Sequence, residues 1–294
     1  MKERLVIGTR GSALALAQTA LVGAALRELF PQLVIETTII TTKGDVNKSS
    51  IPLDTIGKAW FTAEIEDALA NGSIDVAVHS LKDVPPEIHA GTVIFSALKR
   101  ADPRDVLISK DGSRLMELKK SAVIGTDSMR RKAQLLEKRP DFIVESIRGN
   151  VDTRLRKLQE ENYDAIVIAA AGLERLGKLD VVAEFFPANF FIPAPGQGVL
   201  AVQIRKEDTE LATLMRAIQD PDTVCAVEAE RAFVETIGSG CKSPTGAYAR
   251  VSGDTLELFG MHAEKHVVIL SKKGSKSDAR MVGVQLGTEI QSHA

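Results

Sequence analysis

Val6-Ile-Gly-Thr9 returns as Val123-Ile-Gly-Thr126, and the reading of this repeat decides the fold. Each copy is a short β-branched run, and each leads into a helical pattern with a serine near its start, Ser12 in one and Ser128 in the other. Serine suits that place because its hydroxyl accepts a hydrogen bond from a free amide of the first helical turn. A strand feeding a capped helix, met twice, predicts two related α/β domains. In open α/β sheets ligands bind beyond the carboxyl ends of the strands. Both strand-to-helix turns are therefore candidate binding turns, and a hinge between the domains would set them on one cleft.

The rest of the chain follows the same alternation. In the first set, Leu5–Gly8, Val34–Thr42 and Ile74–Ser80 read as strands. Ser12–Phe30 and Thr62–Ala70 read as helices, with Thr62 as an N-cap. In the second set the strands are Ala122–Thr126, Phe142–Ile147 and Ala165–Ala169, with helices over Ser128–Lys138 and Val151–Glu160. Short strands alternating with helical runs predict mainly parallel sheets. Ala101–Asp105 and the Pro/Gly-rich Ile192–Gly198 read as crossings between the sets. Leu200–Arg205 and a helix from Asp208 to Ile218 return to the first domain. Beyond Pro221 the pattern changes to a helix, three β-like runs and a last helix from Asp278, a small α+β domain. The expected boundaries are 1–99 plus 199–218, 100–198, and 219–294.

Bulk properties narrow the function. The chain has 294 residues, 44% hydrophobic and 26% charged, with a net charge of −2. That balance argues against a general nucleic-acid or membrane-surface binder. No apolar run reaches the roughly 20 residues of a membrane helix, and Met1–Arg10 has no signal-peptide pattern, so a cytoplasmic protein is expected. The two cysteines, Cys225 and Cys241, form no metal-ligand spacing, and no His, Cys and carboxylate cluster suggests a metal.

Any basic site must therefore be local. Arg10 stands at the first binding turn, and Arg130 and Arg131 at the second. Arg148 follows a strand within Arg-Gly-Asn, and Arg154 lies six residues on. Helix N-termini favour anions, and arginine grips carboxylates bidentately. For Arg130 and Arg131 alone, solvated helix charges and a carboxylate site remain equally open, and the clustering of five arginines at strand ends favours polyanion binding. His79-Ser-Leu-Lys-Asp83 places Lys82 and Asp83 at the carboxyl end of a strand, where Asp83 could serve a cationic intermediate or a proton transfer; a turn aspartate is the alternative. His79 reads as a packed core histidine and Cys225 as helix core. Cys241 lies in a loop, Gly238-Ser-Gly-Cys-Lys-Ser-Pro-Thr-Gly246, and is either incidental or a thiol activated by Lys242.

Taken together, these residues resemble the porphobilinogen deaminase family. The resemblance is carried in order by Val6–Gln18, Ala77-Val-His-Ser-Leu-Lys-Asp-Val-Pro85, Arg100-Ala-Asp-Pro-Arg-Asp105, Ile147–Arg154, Tyr163–Leu173, Pro193-Ala-Pro-Gly-Gln-Gly198 and Gly240-Cys241. It implies two periplasmic-binding-protein-like domains with a small third domain. It implies a transferase of tetrapyrrole biosynthesis that condenses porphobilinogen, with loss of ammonia, into hydroxymethylbilane. It also implies a dipyrromethane cofactor joined by a thioether to Cys241. Asp83 matches the catalytic aspartate. Lys82, Thr126, Ser128, Arg130 and Arg131 match cofactor-binding residues, and Arg10, Ser12, Arg148, Arg154 and Gln197 match substrate-binding residues. A monomer with porphobilinogen as its only partner is expected, without nucleic acid, membrane or metal.

The chain departs from the family pattern at several places. Gly57-Lys-Ala-Trp-Phe61 stands for the usual Gly-Lys-Gly-Leu-Phe, so that Ala59 replaces a glycine, and Ala63 replaces a usual lysine. Asp127 replaces a usual serine, which puts a negative charge in a predicted anion pocket unless it pairs with an arginine. Gly-Cys is followed by Lys-Ser-Pro-Thr instead of the usual Gln-Val-Pro-Ile, and the chain stops soon after Gln291, short of the family's usual helical end. Two rival readings follow: a catalytically impaired homologue, and a non-catalytic anion-binding protein of two domains. Release of ammonia and a uroporphyrin-type product separates the first from a working enzyme, and a cysteine-linked chromophore separates the second.

Overall fold

The computed structural model describes residues 2–42, 63–85, 88–238 and 243–293. The chain forms two compact units, Met1–Arg100 with Val199–Thr223, and Ala101–Gly198 with Val224–Ala294. Among the described residues no helix is long and apolar enough to cross a membrane.

The first unit holds a five-stranded sheet. Its strands are β1 (Arg4–Thr9), β2 (Val34–Ile39), β3 (Val76–Ser80), β4 (Thr92–Ala97) and β10 (Leu200–Arg205), in the order β2-β1-β3-β10-β4. Helices α1 (Ala13–Leu29), α2 (Ala63–Ala70) and α6 (Thr209–Ala217) belong to the same unit. Leu5 and Ile7 of β1 pack with Val22 and Leu26 of α1 and Leu211 and Met215 of α6. Val6 points the other way, to Ile65 and Leu69 of α2. Both faces of the sheet are covered, which is why Val76–Val78 is a continuous apolar run and not an alternating one.

The second unit repeats this plan. Its first sheet contains β5 (Asp105–Ser109), β6 (Val123–Gly125), β7 (Ile143–Glu145), β8 (Ala165–Ala169) and β9 (Glu184–Phe185), in the order β7-β6-β8-β5-β9. Helices α3 (Met129–Lys138), α4 (Val151–Glu160) and α5 (Ala170–Arg175) accompany it. Position for position this is the order of the first sheet. The short sequence repeat opens equivalent strands, β1 and β6, and the likeness extends to their neighbours. Asp75 accepts a hydrogen bond from the Val6 amide at 2.9 Å, and Asp164 accepts one from the Val123 amide at 2.8 Å.

Parallel pairs make up the repeated part of each sheet, β1 with β2 and β3, and β6 with β7 and β8. Two antiparallel pairs complete each one, so the sheets are mixed. The antiparallel strands β5 and β10 are the first strands after the chain passes from one unit to the other.

The remainder of the second unit is an antiparallel meander of β11 (Thr245–Ser252), β12 (Thr255–Ala263) and β13 (Val267–Ser275). Helices α7 (Pro221–Ile237) and α8 (Ala279–Gln291) share its core, with Phe233, Leu256, Leu258, Leu286 and Ile290 fully buried. Cys225 is part of this core, and its thiol donates to the Lys276 carbonyl at 3.3 Å.

Candidate functional site

Two strand ends of the first unit carry its candidate residues. Arg10 leaves β1, and Ser12 caps α1 by accepting from the Ala15 amide at 3.2 Å. β3 ends at Ser80 and turns at once into a single 3-10 turn, Leu81–Asp83. Lys82 is half-buried on this turn and Asp83 is exposed.

The turn is braced on three sides. The Leu81 amide donates to the Val199 carbonyl at 3.0 Å, the Val84 amide closes the turn on Leu81, and buried Gln18 of α1 donates to the Ser80 hydroxyl at 2.7 Å. An exposed carboxylate on a braced turn is held in place and open to solvent. His79, just upstream, is buried against Gln203 at 3.2 Å. Burial pushes its imidazole down to about 4, overcoming the Gln203 bond and nearby Asp83, so it is neutral at physiological pH and serves packing.

In the second unit Arg130 and Arg131 open α3, which Ser128 caps by accepting from the Arg131 amide at 3.4 Å. Both side chains turn inward and are buried, at 4% and 6% exposure, over Asp105 at 0%. Arg130 Nη1 donates to Asp105 Oδ2 at 2.7 Å and to the Ile192 carbonyl. Arg131 donates to Asp105 Oδ1 from Nε and Nη2, at 3.1 and 2.7 Å, and to the Val167 carbonyl from Nη1. Gln197 is fully buried and donates to the same carboxylate at 2.9 Å and to the Pro103 carbonyl at 2.7 Å. Burial alone would push the Asp105 carboxyl up, but the two guanidiniums overcome it and hold the group well below the usual carboxylate range.

Sequence reasoning gives Asp105 no role beyond its motif, yet it fixes the orientation of both arginines. Two guanidiniums face one carboxylate, so the cluster retains positive charge. Asp105→Asn leaves two buried cations uncompensated, and we expect it to cost about 3–5 kcal/mol of stability. Urea unfolding checks this, and a loss under about 1 kcal/mol would show that the cluster does not hold the unit together.

Thr126 directly follows β6, is buried, and accepts from the Ser128 amide at 3.3 Å. Asp127 does pair with an arginine. Its Oδ2 lies 3.3 Å from Arg148 Nε, and its Oδ1 accepts from the Ser146 hydroxyl at 2.6 Å. Arg154 lies on α4, and its Nε donates to the Gly149 carbonyl at 2.9 Å, folding it back over the Arg-Gly-Asn turn. Arg148 and Arg154 thus flank one turn.

Gly240, Cys241 and Lys242 lie outside the described residues, as do Thr62 and Gly57–Phe61 with Ala59; Ala63 opens α2. The chain that resumes at Ser243 bears on whether a dipyrromethane fits. Ser243 and Thr245 hydroxyls lie 3.0 Å apart, and Thr245 lies 2.9 Å from His262 Nδ1 across the β11–β12 pair. At Gly246 a Cβ would meet the Ile192 and Pro193 carbonyls at 3.0 Å and Arg130 Cδ at 3.1 Å, so a side chain there would push β11 back by a few tenths of an ångström. The Ala247 amide donates to the Pro193 carbonyl at 3.0 Å. Glu230, buried on α7, ties the same loop to the strand by accepting from the Gly196 and Ala249 amides at 2.7 and 2.8 Å. The strand that follows the cysteine loop is therefore fixed against the Arg130 side chain. A cationic cluster beside that strand suits a group bearing carboxylates. Glu230 also escapes sequence reasoning, although a lone carboxylate within the Ala226–Ala229–Phe233 stripe of α7 is its one trace.

The sequence matches the porphobilinogen deaminase, dipyromethane cofactor binding domain over residues 5–213 and the porphobilinogen deaminase, C-terminal domain over residues 224–292. It is 44% identical to the porphobilinogen deaminase of Roseiflexus castenholzii, covering 99% of this chain and 96% of that one. It is 46% identical to the porphobilinogen deaminase of Bacillus subtilis, covering 93% and 88%. Among solved structures, the methionine-binding protein MetQ aligns with 76% of this chain and 92% of its own at 12% identity and a TM-score of 0.47.

Proposed function

The chain belongs to the porphobilinogen deaminase family, and from that premise we propose that it is a transferase which joins four porphobilinogen units head to tail. Each unit loses ammonia, and water releases hydroxymethylbilane. The observation that carries this reading is the repeated sheet plan, with Arg10, Ser12, Lys82 and Asp83 on the turns and helix starts that follow β1 and β3, and Thr126, Ser128, Arg130, Arg131, Arg148 and Arg154 on those that follow β6 and β7. Each pyrrole bears an acetate and a propionate, so the growing chain gathers negative charge. Locally cationic turns in a protein of net charge −2 suit that substrate.

In this reading each residue has a task. Asp83 presents its carboxylate where positive charge develops on porphobilinogen as the aminomethyl nitrogen leaves, and can take up a proton. Arg10, Ser12, Arg148 and Arg154 hold substrate carboxylates. Lys82, Thr126, Ser128, Arg130 and Arg131 hold those of a dipyrromethane anchored at Cys241. When bound, that group supplies the terminal ring to which incoming units are joined. Gln197 and Asp105 act one step back, by orienting Arg130 and Arg131. The domains divide at 1–99 plus 199–218, 100–198 and 219–294, and the enzyme works as a cytoplasmic monomer.

Incubation with porphobilinogen tests the reading: ammonia and a uroporphyrin-type product should appear together, and their absence from correctly folded protein would favour the impaired homologue. Arg148 gives a sharper test. Arg148→Leu removes a charge-assisted contact to substrate, and kcat/KM should fall about ten- to a hundredfold. Unchanged steady-state kinetics would remove Arg148 from the binding set.

A further inference from the structure

The Asp127–Arg148 pair joins a proposed substrate-binding arginine to a residue that breaks the family pattern. Its geometry is built and not incidental. Just beyond β7, Ile147 is fully buried, while its neighbours Ser146 and Arg148 are exposed and half-buried. The Ser146 carbonyl is pinned by the Tyr163 hydroxyl at 2.8 Å, which fixes this short stretch. Ser146 then donates its hydroxyl to Asp127 Oδ1 at 2.6 Å, and that bond aims Oδ2 at Arg148 Nε, 3.3 Å away. Asp127 and Arg148 side chains remain 34% and 40% exposed, so the pair opens onto solvent and can be reached.

We propose that Asp127 is a built-in competitor for substrate carboxylates: it occupies the Arg148 guanidinium until porphobilinogen displaces it, and so sets the substrate affinity of this site. The proposal rests on the reading of Arg148 as a substrate ligand. Asp127 presents the same chemical group as the substrate's acetate or propionate, and its tether to Ser146 holds it in place beforehand. An incoming carboxylate must break the pair and then lie beside the displaced charge. Both effects weaken ground-state binding. Neither touches the bond that breaks when ammonia leaves, so the residue acts on KM more than on kcat. A serine or asparagine at the same place would leave the guanidinium free for substrate.

Three variants test this by steady-state kinetics with porphobilinogen. Asp127→Asn keeps an acceptor for Ser146 and loses only the charge; KM should fall about three- to fivefold, the range of a part-exposed ion pair, with kcat moving less. Asp127→Ser should give the same direction without the tether. Ser146→Ala loosens the competitor and should lower KM by a smaller factor. The measurements run beside Arg148→Leu. If both Asp127 variants leave KM unchanged or raise it while Arg148→Leu raises it, the competitor is overturned and Arg148 stands. If Arg148→Leu also leaves KM unchanged, the reading of Arg148 falls, and the competitor with it. A lower KM that persists in the Asp127→Asn, Arg148→Leu double variant also overturns the proposal, because the effect then does not pass through the guanidinium.

Discussion

Asp83→Asn should lower turnover by at least about 10²-fold and by up to about 10⁴-fold, the range for a positioned charge or proton-transfer group. The side chain is exposed, so the substitution removes charge without opening a cavity or orphaning a buried partner. The turn itself is held by Leu81, Val84 and Ser80 through backbone and Gln18 contacts that asparagine leaves intact. The fold and its thermal midpoint should therefore survive, and KM should change far less than kcat. Near-normal turnover would return Asp83 to the role of a turn residue ahead of Val84 and Pro85.

Cys241→Ser should lose nearly all activity, because the thiol is the proposed anchor and serine is a much weaker nucleophile than a thiolate. Cys225→Ser is the matched control. Its side chain is buried in the meander core with its thiol on the Lys276 carbonyl, a bond that a hydroxyl can also make. The Cys225 variant should keep its activity and its colour with an acidic aldehyde reagent for pyrroles, and the Cys241 variant should lose both. Equal activity in the two variants would remove the covalent anchor from the account.

Much of this architecture is legible in the sequence because it is local. A strand followed by a serine-capped helix is written in adjacent residues, and so are β8, α4, β10 and α7, whose bounds follow the apolar pattern directly. β5 is harder to read. It begins at Asp105, a charge at the head of a buried strand, and that is stable only because arginines 25 and 26 residues later turn inward to meet it. The same long-range pairing hides the burial of Arg130 and Arg131, which on their helix look like solvated charges or open anion ligands. β9 has two residues and no pattern to show. The mixed character of the sheets depends on which strand returns beside which, and hydropathy carries no record of that. Asp127 is the reverse case. As a sequence letter it looks like a defect in an anion site, and the structure gives it Arg148 and Ser146 as partners.

The central claim is a covalent pyrrole cofactor on Cys241, and the intact mass of the active protein under denaturing conditions tests it most directly. A thioether survives unfolding, so the wild-type chain should weigh more than its sequence by two porphobilinogen units less their two ammonia molecules, and Cys241→Ser should weigh its sequence mass alone. A wild-type protein that turns over porphobilinogen while carrying an unmodified Cys241 would contradict the account.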